Sequence, residues 1–123
     1  IQEYIPESTE YRVYVISDTY IPVCIQFDRK HHRTETDLVP PEEKFVTDKI
    51  DRGGTFAPLV EFVRSLGLIY AAVDCFLLKD QLVLIDLNPL GSWREMPLSI
   101  RASIAKALSA ALMQKMERID EHE

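Results

Sequence analysis

Asp74 and Asp86 are the only acids, away from the polar tip Lys79-Asp80-Gln81, within the apolar run from Ile69 to Leu87. A carboxylate among apolar neighbours is costly unless something pairs with it, so two of them need a reason. If the run is a hairpin turning about Asp80, residues whose numbers sum to 160 face each other. Asp74 then lies opposite Asp86, with Asn88 two residues further along the same face. Like charges directly opposed on neighbouring strands repel. A bound divalent cation would remove the conflict, because two carboxylates and an amide carbonyl are hard oxygen ligands that magnesium accepts, with water and phosphate oxygens completing its octahedron. The spacing therefore suits a magnesium–nucleotide site. It also suits two strand-end acids hydrogen-bonded to backbone amides or water, and a slip of one residue in register would send them to opposite faces.

The elements that must position these acids are legible as periodicities. Val13 to Ser17 and Tyr20 to Phe27 are β-branched and aromatic runs around Asp18-Thr19, the pattern of a tight hairpin. From Asp28 to about Pro41 the chain is charged, contains Pro40-Pro41 and has no apolar period, which predicts a surface loop. Thr55 can cap a helix in which Phe56, Leu59, Val60, Phe62, Val63 and Leu66 recur at helical spacing before Gly67 stops it. Leu68 to Leu78 and Leu82 to Leu87 read as a hairpin buried on both faces. Leu98, Ile100, Ile104, Leu108, Leu112 and Met116 mark a long amphipathic helix whose stripe belongs to the core, with a charged tail, Glu117 to Glu123, expected to fray. The fold class is α+β, a mostly antiparallel sheet flanked by helices.

A chain of 123 residues that is 46% hydrophobic can bury one core, and a single domain over 1–123 is expected. A strand-like segment begins at Ile1, which suggests a piece of a longer protein. No apolar run approaches the roughly 20 residues needed to cross a bilayer, so the expectation is a cytoplasmic protein with no membrane partner. The net charge of −6 argues against nucleic acid as a partner, since nonspecific binding there comes from Lys and Arg; the cluster Arg29 to Arg33 is the local exception. Cys24 and Cys75 lie in apolar runs and read as reduced, buried thiols, and His31 and His32 as loop residues rather than zinc ligands.

Gly67 to Asp74 (GLIYAAVD) and Leu84 to Trp93 (LIDLNPLGSW) resemble the closing motifs of ATP-grasp ligases, most nearly the branch of ribosomal-protein glutamate ligases and ligases that crosslink ribosomally made peptides. The resemblance spans nearly the whole chain, is weakest from Arg29 to Thr55, and implies the C-terminal ATP-grasp subdomain. It assigns Asp74, Asp86 and Asn88 to magnesium, with Asp86 one methylene shorter than the family's usual Glu. Gln2 to Pro6 resembles the hinge that reads adenine, through the backbone of Glu3 and Ile5; Glu10 falls where an acid takes the ribose hydroxyls, and Arg12 where a catalytic cation meets phosphate or acyl phosphate.

The resemblance implies an ATP- and magnesium-dependent ligase in which a substrate carboxylate attacks the γ-phosphate, and an amine or hydroxyl then captures the acyl phosphate. The partner would be a carboxylate-bearing substrate, a peptide or protein among the options, and a homo-oligomer is left open. The family's phosphate-binding lysines and covering loop come from a preceding lobe, so the chain alone is expected to be inactive. Two rival readings stand beside it: a non-catalytic ATP-grasp-like binding module, and a metal-dependent phosphoester hydrolase, which would need further acids or histidines at the hairpin. Trp93 is expected to anchor its loop by packing.

Overall fold

The computed structural model describes residues 8–26, 44–47 and 54–121. The expected loop from Asp28 to Pro41, the His31-His32 pair, Glu3 and Ile5 lie outside the described residues. Among the described residues seven elements follow one another: β1 (Ser8–Ile16), β2 (Thr19–Ile25), β3 (Phe45–Thr47), α1 (Ala57–Ser65), β4 (Tyr70–Leu78), β5 (Gln81–Asn88) and α2 (Leu98–Glu121). The strands form one sheet in the order β3-β2-β1-β4-β5, antiparallel at every junction. The α+β expectation is met. Among the described residues no helix is long and apolar enough to cross a membrane.

β1 and β4 lie inside the sheet and alternate between two cores. Tyr11, Val13 and Val15 of β1, with Ala71, Val73 and Cys75 of β4, pack against Phe56, Leu59, Val60 and Val63 at α1. Tyr14, Ile16 and Ala72 point the other way, where Val23, Ile25 and Phe45 join Met96 and, from α2, Ile100 and Ile104. The two helices thus cover opposite faces.

α1 has Phe56 at its N-cap rather than Thr55; Phe56 makes no side-chain cap hydrogen bond, and Pro58 in the first turn supplies a preset φ. It ends as expected at Gly67, whose φ of +75° is strained for any residue with a Cβ. Gly67 N–H donates to Arg64 O and Leu68 N–H to Val63 O, a Schellman closure. The first hairpin turns on Ser17-Asp18, one residue earlier than expected, because Ile16 pairs with Thr19. β3 is three residues long, too short to show a periodicity.

α2 departs from its expected role in two ways. It remains helical to Glu121 rather than fraying from Glu117, and its stripe is core only in part: Ile100 and Ile104 are buried and Leu108 packs partly buried beside them, whereas Leu98, Leu112 and Met116 are exposed. β5, too, is not buried on both faces. It is the sheet's edge, and Leu84 and Ile85 are 46% and 53% exposed.

Leu78 pairs with Gln81, so the second hairpin turns on two residues, Lys79 and Asp80, at φ +49° and +66°. Positive φ at both central positions is the geometry that Asn-Gly satisfies most readily, and side chains with a Cβ are strained there. Replacing Lys79-Asp80 by Asn-Gly is expected to raise unfolding stability by about 0.5–1 kcal/mol, measured by urea denaturation.

Candidate nucleotide and metal site

The structure sets Asp74 opposite Asp86. It does so by a different route from the one the sequence suggests. From Leu78↔Gln81 to Cys75↔Leu84 the partners sum to 159, a register that, continued, would set Ile85 opposite Asp74 and turn Asp86 toward the α1 face. Between Cys75 and Asp74 the ladder shifts, Ile85 is passed over as a bulge, and the pairs become Asp74↔Asp86, Val73↔Leu87 and Ala72↔Asn88. The bulge undoes the slip introduced by the tight turn and carries Asp86 and Asn88 onto the α2 face.

β1 brings a cation to the same face. Arg12 is the direct partner of Asp74 on the side away from β5. Its Nε donates to Asp74 Oδ1 at 2.9 Å, and its Nη1 donates to Glu95 Oε1 at 2.9 Å. The Arg12 and Asp74 side chains are each 27% exposed, that of Glu95 47%. Burial disfavours the guanidinium's charge, but the hydrogen bond and attraction of Asp74 outweigh it, so Arg12 holds its proton more tightly than a free arginine. Glu10, two residues before Arg12 and paired with Ile25 and Phe76, shares this face. The repulsion expected between Asp74 and Asp86 is thus offset on one side by Arg12.

The loop from Pro89 to Pro97 closes the site's edge. Leu90 N–H donates to Asn88 Oδ1 at 2.9 Å and Gly91 N–H to Asn88 O at 3.2 Å, a local turn that starts at the candidate ligand itself. The Tyr70 hydroxyl donates to Gly91 O, and the Tyr14 hydroxyl to Ser92 O at 3.2 Å. Trp93 packs partly buried on the α2-side core, as expected of an anchor, and Met96 is buried. Glu95 is therefore an exposed acid on a pinned loop. Burial pushes the Tyr14 hydroxyl up to about 12, against the lowering effect of Arg12 nearby.

One face thus gathers Glu10, Arg12, Asp74, Asp86 and Asn88 from three strands. Among the described residues no group of three or more His, Cys, Asp or Glu is placed to hold a metal. The candidate donors are two facing carboxylates and one amide oxygen. That set fits magnesium, which takes one or two carboxylates from a protein and leaves its other positions to water and phosphate. Asn88 Oδ1 has a second lone pair beyond the one Leu90 occupies. Glu95 escaped the sequence reading. Its one trace there is the pattern Gly91, Trp93, Met96, a loop with enough apolar residues to dock and so to aim what lies between them.

No family model and no curated protein matches the sequence. Solved structures do match the fold. The macrocyclase MdnC of Microcystis aeruginosa MRC, bound with precursor peptide MdnA, is 21% identical at a TM-score of 0.61 over 92% of this chain and 36% of that one. A Chryseobacterium gregarium RiPP-associated ATP-grasp ligase, in complex with ADP and a leader and core peptide, is 17% identical at a TM-score of 0.61 over 87% of this chain and 33% of that one. The chain thus has the fold of part of these ATP-grasp ligases and spans about a third of their length.

Two outcomes follow from this geometry. A Cβ on Gly91 would collide with Ala72 Cβ, so Gly91→Ala should cost about 1–3 kcal/mol in a denaturant melt, and pairing it with Ala72→Gly should recover part of the loss as a non-additive term. Burial, helped by the charges of Asp74 and Glu10, pushes the Cys75 thiol from 9.0 up to about 12. A raised acid pKa means the stability that Cys75 contributes is present below about pH 9 and lost as the pH rises through about 12. Alkaline unfolding curves should therefore be less steep over that window in Cys75→Ala than in the wild type.

Proposed function

We propose that this chain supplies the nucleotide- and magnesium-binding face of an ATP-dependent ligase that activates a carboxylate and joins it to an amine, or in a variant of the same chemistry to a hydroxyl. The observation that carries the reading is the bulged register that sets Asp74 opposite Asp86, with Asn88 on the same face and Arg12 on Asp74, in a chain with the fold of peptide-modifying ATP-grasp ligases.

In the reaction a carboxylate oxygen of the substrate attacks the γ-phosphorus and ADP leaves, forming an acyl phosphate; the nucleophile then attacks the acyl carbon and phosphate leaves. The obstacle is the approach of two anions. Arg12 adds a donor where negative charge develops, and its fork suits phosphate oxygens. Asp74, Asp86 and Asn88 would hold magnesium, whose chemistry when bound is to neutralise and align the phosphates. Glu10 would accept from the ribose hydroxyls, and the backbone of Glu3 and Ile5 would read the adenine edge. These roles are positional and electrostatic; no residue of the chain has to serve as general base.

The two solved ligases hold precursor, leader or core peptides, which supports a peptide carboxylate as the substrate class here. By itself the chain offers one wall of a cleft and should not turn over, since water has free access to an open face.

Calorimetry of a non-hydrolysable ATP analogue with magnesium, on the full-length protein, tests the reading. Asp74→Asn and Asp86→Asn should each weaken magnesium-dependent binding about tenfold or more, a loss of roughly 1.4 kcal/mol or above, while Asp86→Glu keeps it. Unchanged binding in both Asn variants would remove the metal assignment and leave the acids a structural role.

A further inference from the structure

Arg12 is shared between two carboxylates, and only one of them has a place in the proposed chemistry. Asp74 sits on a strand facing Asp86, whereas Glu95 sits on the loop that Tyr14, Tyr70 and Met96 pin to the α2 face. Glu95 is about half exposed, and its ion pair with Arg12 joins positions 83 residues apart in sequence. A surface pair of this kind adds little to stability, because water screens it and both side chains lose rotamer freedom. Its geometry has a second consequence. The guanidinium is gripped on Nε by Asp74 and on Nη1 by Glu95, so releasing one contact leaves Arg12 still tethered by the other.

We propose that Glu95 is a positioning residue that holds Arg12 while Asp74 changes partners, from Arg12 in the empty site to a magnesium–nucleotide in the loaded one. The inference rests on the functional reading above. In the arrangement seen, Arg12 is the counter-ion of Asp74 and competes with any cation that Asp74 could take. A magnesium ion that took Asp74 Oδ1, the oxygen Arg12 holds, would displace that contact, and without Glu95 the guanidinium would lose its second carboxylate anchor as well. Glu95 keeps it beside the strand, with Nε released toward the incoming phosphate. Glu95 also lowers the cost of the exchange, because an arginine already balanced by one carboxylate leans less on the other.

Calorimetry on the full-length protein separates the possibilities, using magnesium with a non-hydrolysable ATP analogue, and magnesium alone, against wild type, Glu95→Gln, Glu95→Asp and Arg12→Met. The expected result is a roughly two- to fivefold loss of magnesium–nucleotide affinity in Glu95→Gln, the size of one partly exposed charge pair, with recovery in Glu95→Asp and no change in melting temperature beyond a degree or two. Arg12→Met should split the two titrations: magnesium alone binds more tightly because its competitor is gone, and the magnesium–nucleotide binds more weakly because a phosphate donor is gone. Wild-type affinity in Glu95→Gln would overturn the positioning role while leaving the functional reading intact. Loss of binding in Glu95→Gln as complete as in Asp74→Asn, without recovery in Glu95→Asp, would overturn it in favour of Glu95 as a direct ligand. A wild-type protein that binds no magnesium–nucleotide would sink the functional reading itself.

Discussion

Two carboxylates held face to face across neighbouring strands are a standing electrostatic cost, and much of the structure around β4 and β5 can be understood as the means of imposing and then relieving it. A two-residue turn alone would have dispersed the charges to opposite sides of the sheet. The bulge at Ile85 concentrates them instead, at the expense of one ladder pair on an edge strand. Relief comes from the adjoining strand, where Arg12 is the direct cross-strand partner of Asp74; Glu95, further away in sequence, reaches the same guanidinium and takes back part of that relief. An arginine between two acids, with a third acid across the ladder, remains short of positive charge. On the ligase reading, that deficit, more than any single residue, is what a bound cation would fill.

The sheet is divided so that this charge can exist beside a core. On the α2 face the inner end is apolar, with Tyr14, Ile16 and Ala72 beneath Met96, Ile100 and Ile104, and the polar residues Glu10, Arg12, Asp74 and Asp86 begin where that cover stops. The opposite face is closed by α1 over an apolar core that includes Tyr11 and the fully buried Cys75, a protonated thiol. Placing the polar residues on three adjacent strands fixes their separations through backbone hydrogen bonds, a stiffer arrangement than loops provide. The single loop contribution, Glu95, is made stiff by other means: two tyrosine hydroxyls donate to the loop carbonyls of Gly91 and Ser92, and Met96 is sunk into the core directly after Glu95. Gly91 permits this, because the backbone there passes over Ala72 with no room for a side chain.

How much of this could be seen in the sequence depended on whether the decisive physics was local. Helix α1 and its stop at Gly67 were legible because a 3.6-residue period and a left-handed terminator are properties of consecutive residues. The Asp74–Asp86 pairing was legible for a coarser reason: acids in apolar strands are rare enough that symmetry about the tip suggests a partner. The path to it was not legible, since two errors of one residue, a shorter tip and an unforeseen bulge, cancel. Thr55 looked like a cap from its type alone, while the real N-cap position is set by where Pro58 lets the helix begin. β3 has too few residues to carry a pattern, and the exposed half of α2 shows that an apolar stripe states what a helix could bury, not what is there to cover it. Glu95 is the clearest loss, because its importance lies wholly in a contact across the fold.

A set of donors this small has a further implication on the ligase reading. Magnesium is exacting about six oxygens at short range, sheds water reluctantly, and here would find two carboxylates and an amide from the chain, one carboxylate already engaged by Arg12. Protein oxygens alone therefore make a poor cage, and phosphate oxygens must supply part of the coordination. A nucleotide arriving without the metal fares no better on this face, since its phosphates would meet Asp74, Asp86 and Glu95, with Arg12 the cation gathered there among the described residues. Each ligand thus needs the other to be neutralised. On that reading the face should select a metal–phosphate complex over either component, and the acid-rich composition that looks unsuited to binding a polyanion would become the reason for taking one only in its magnesium form.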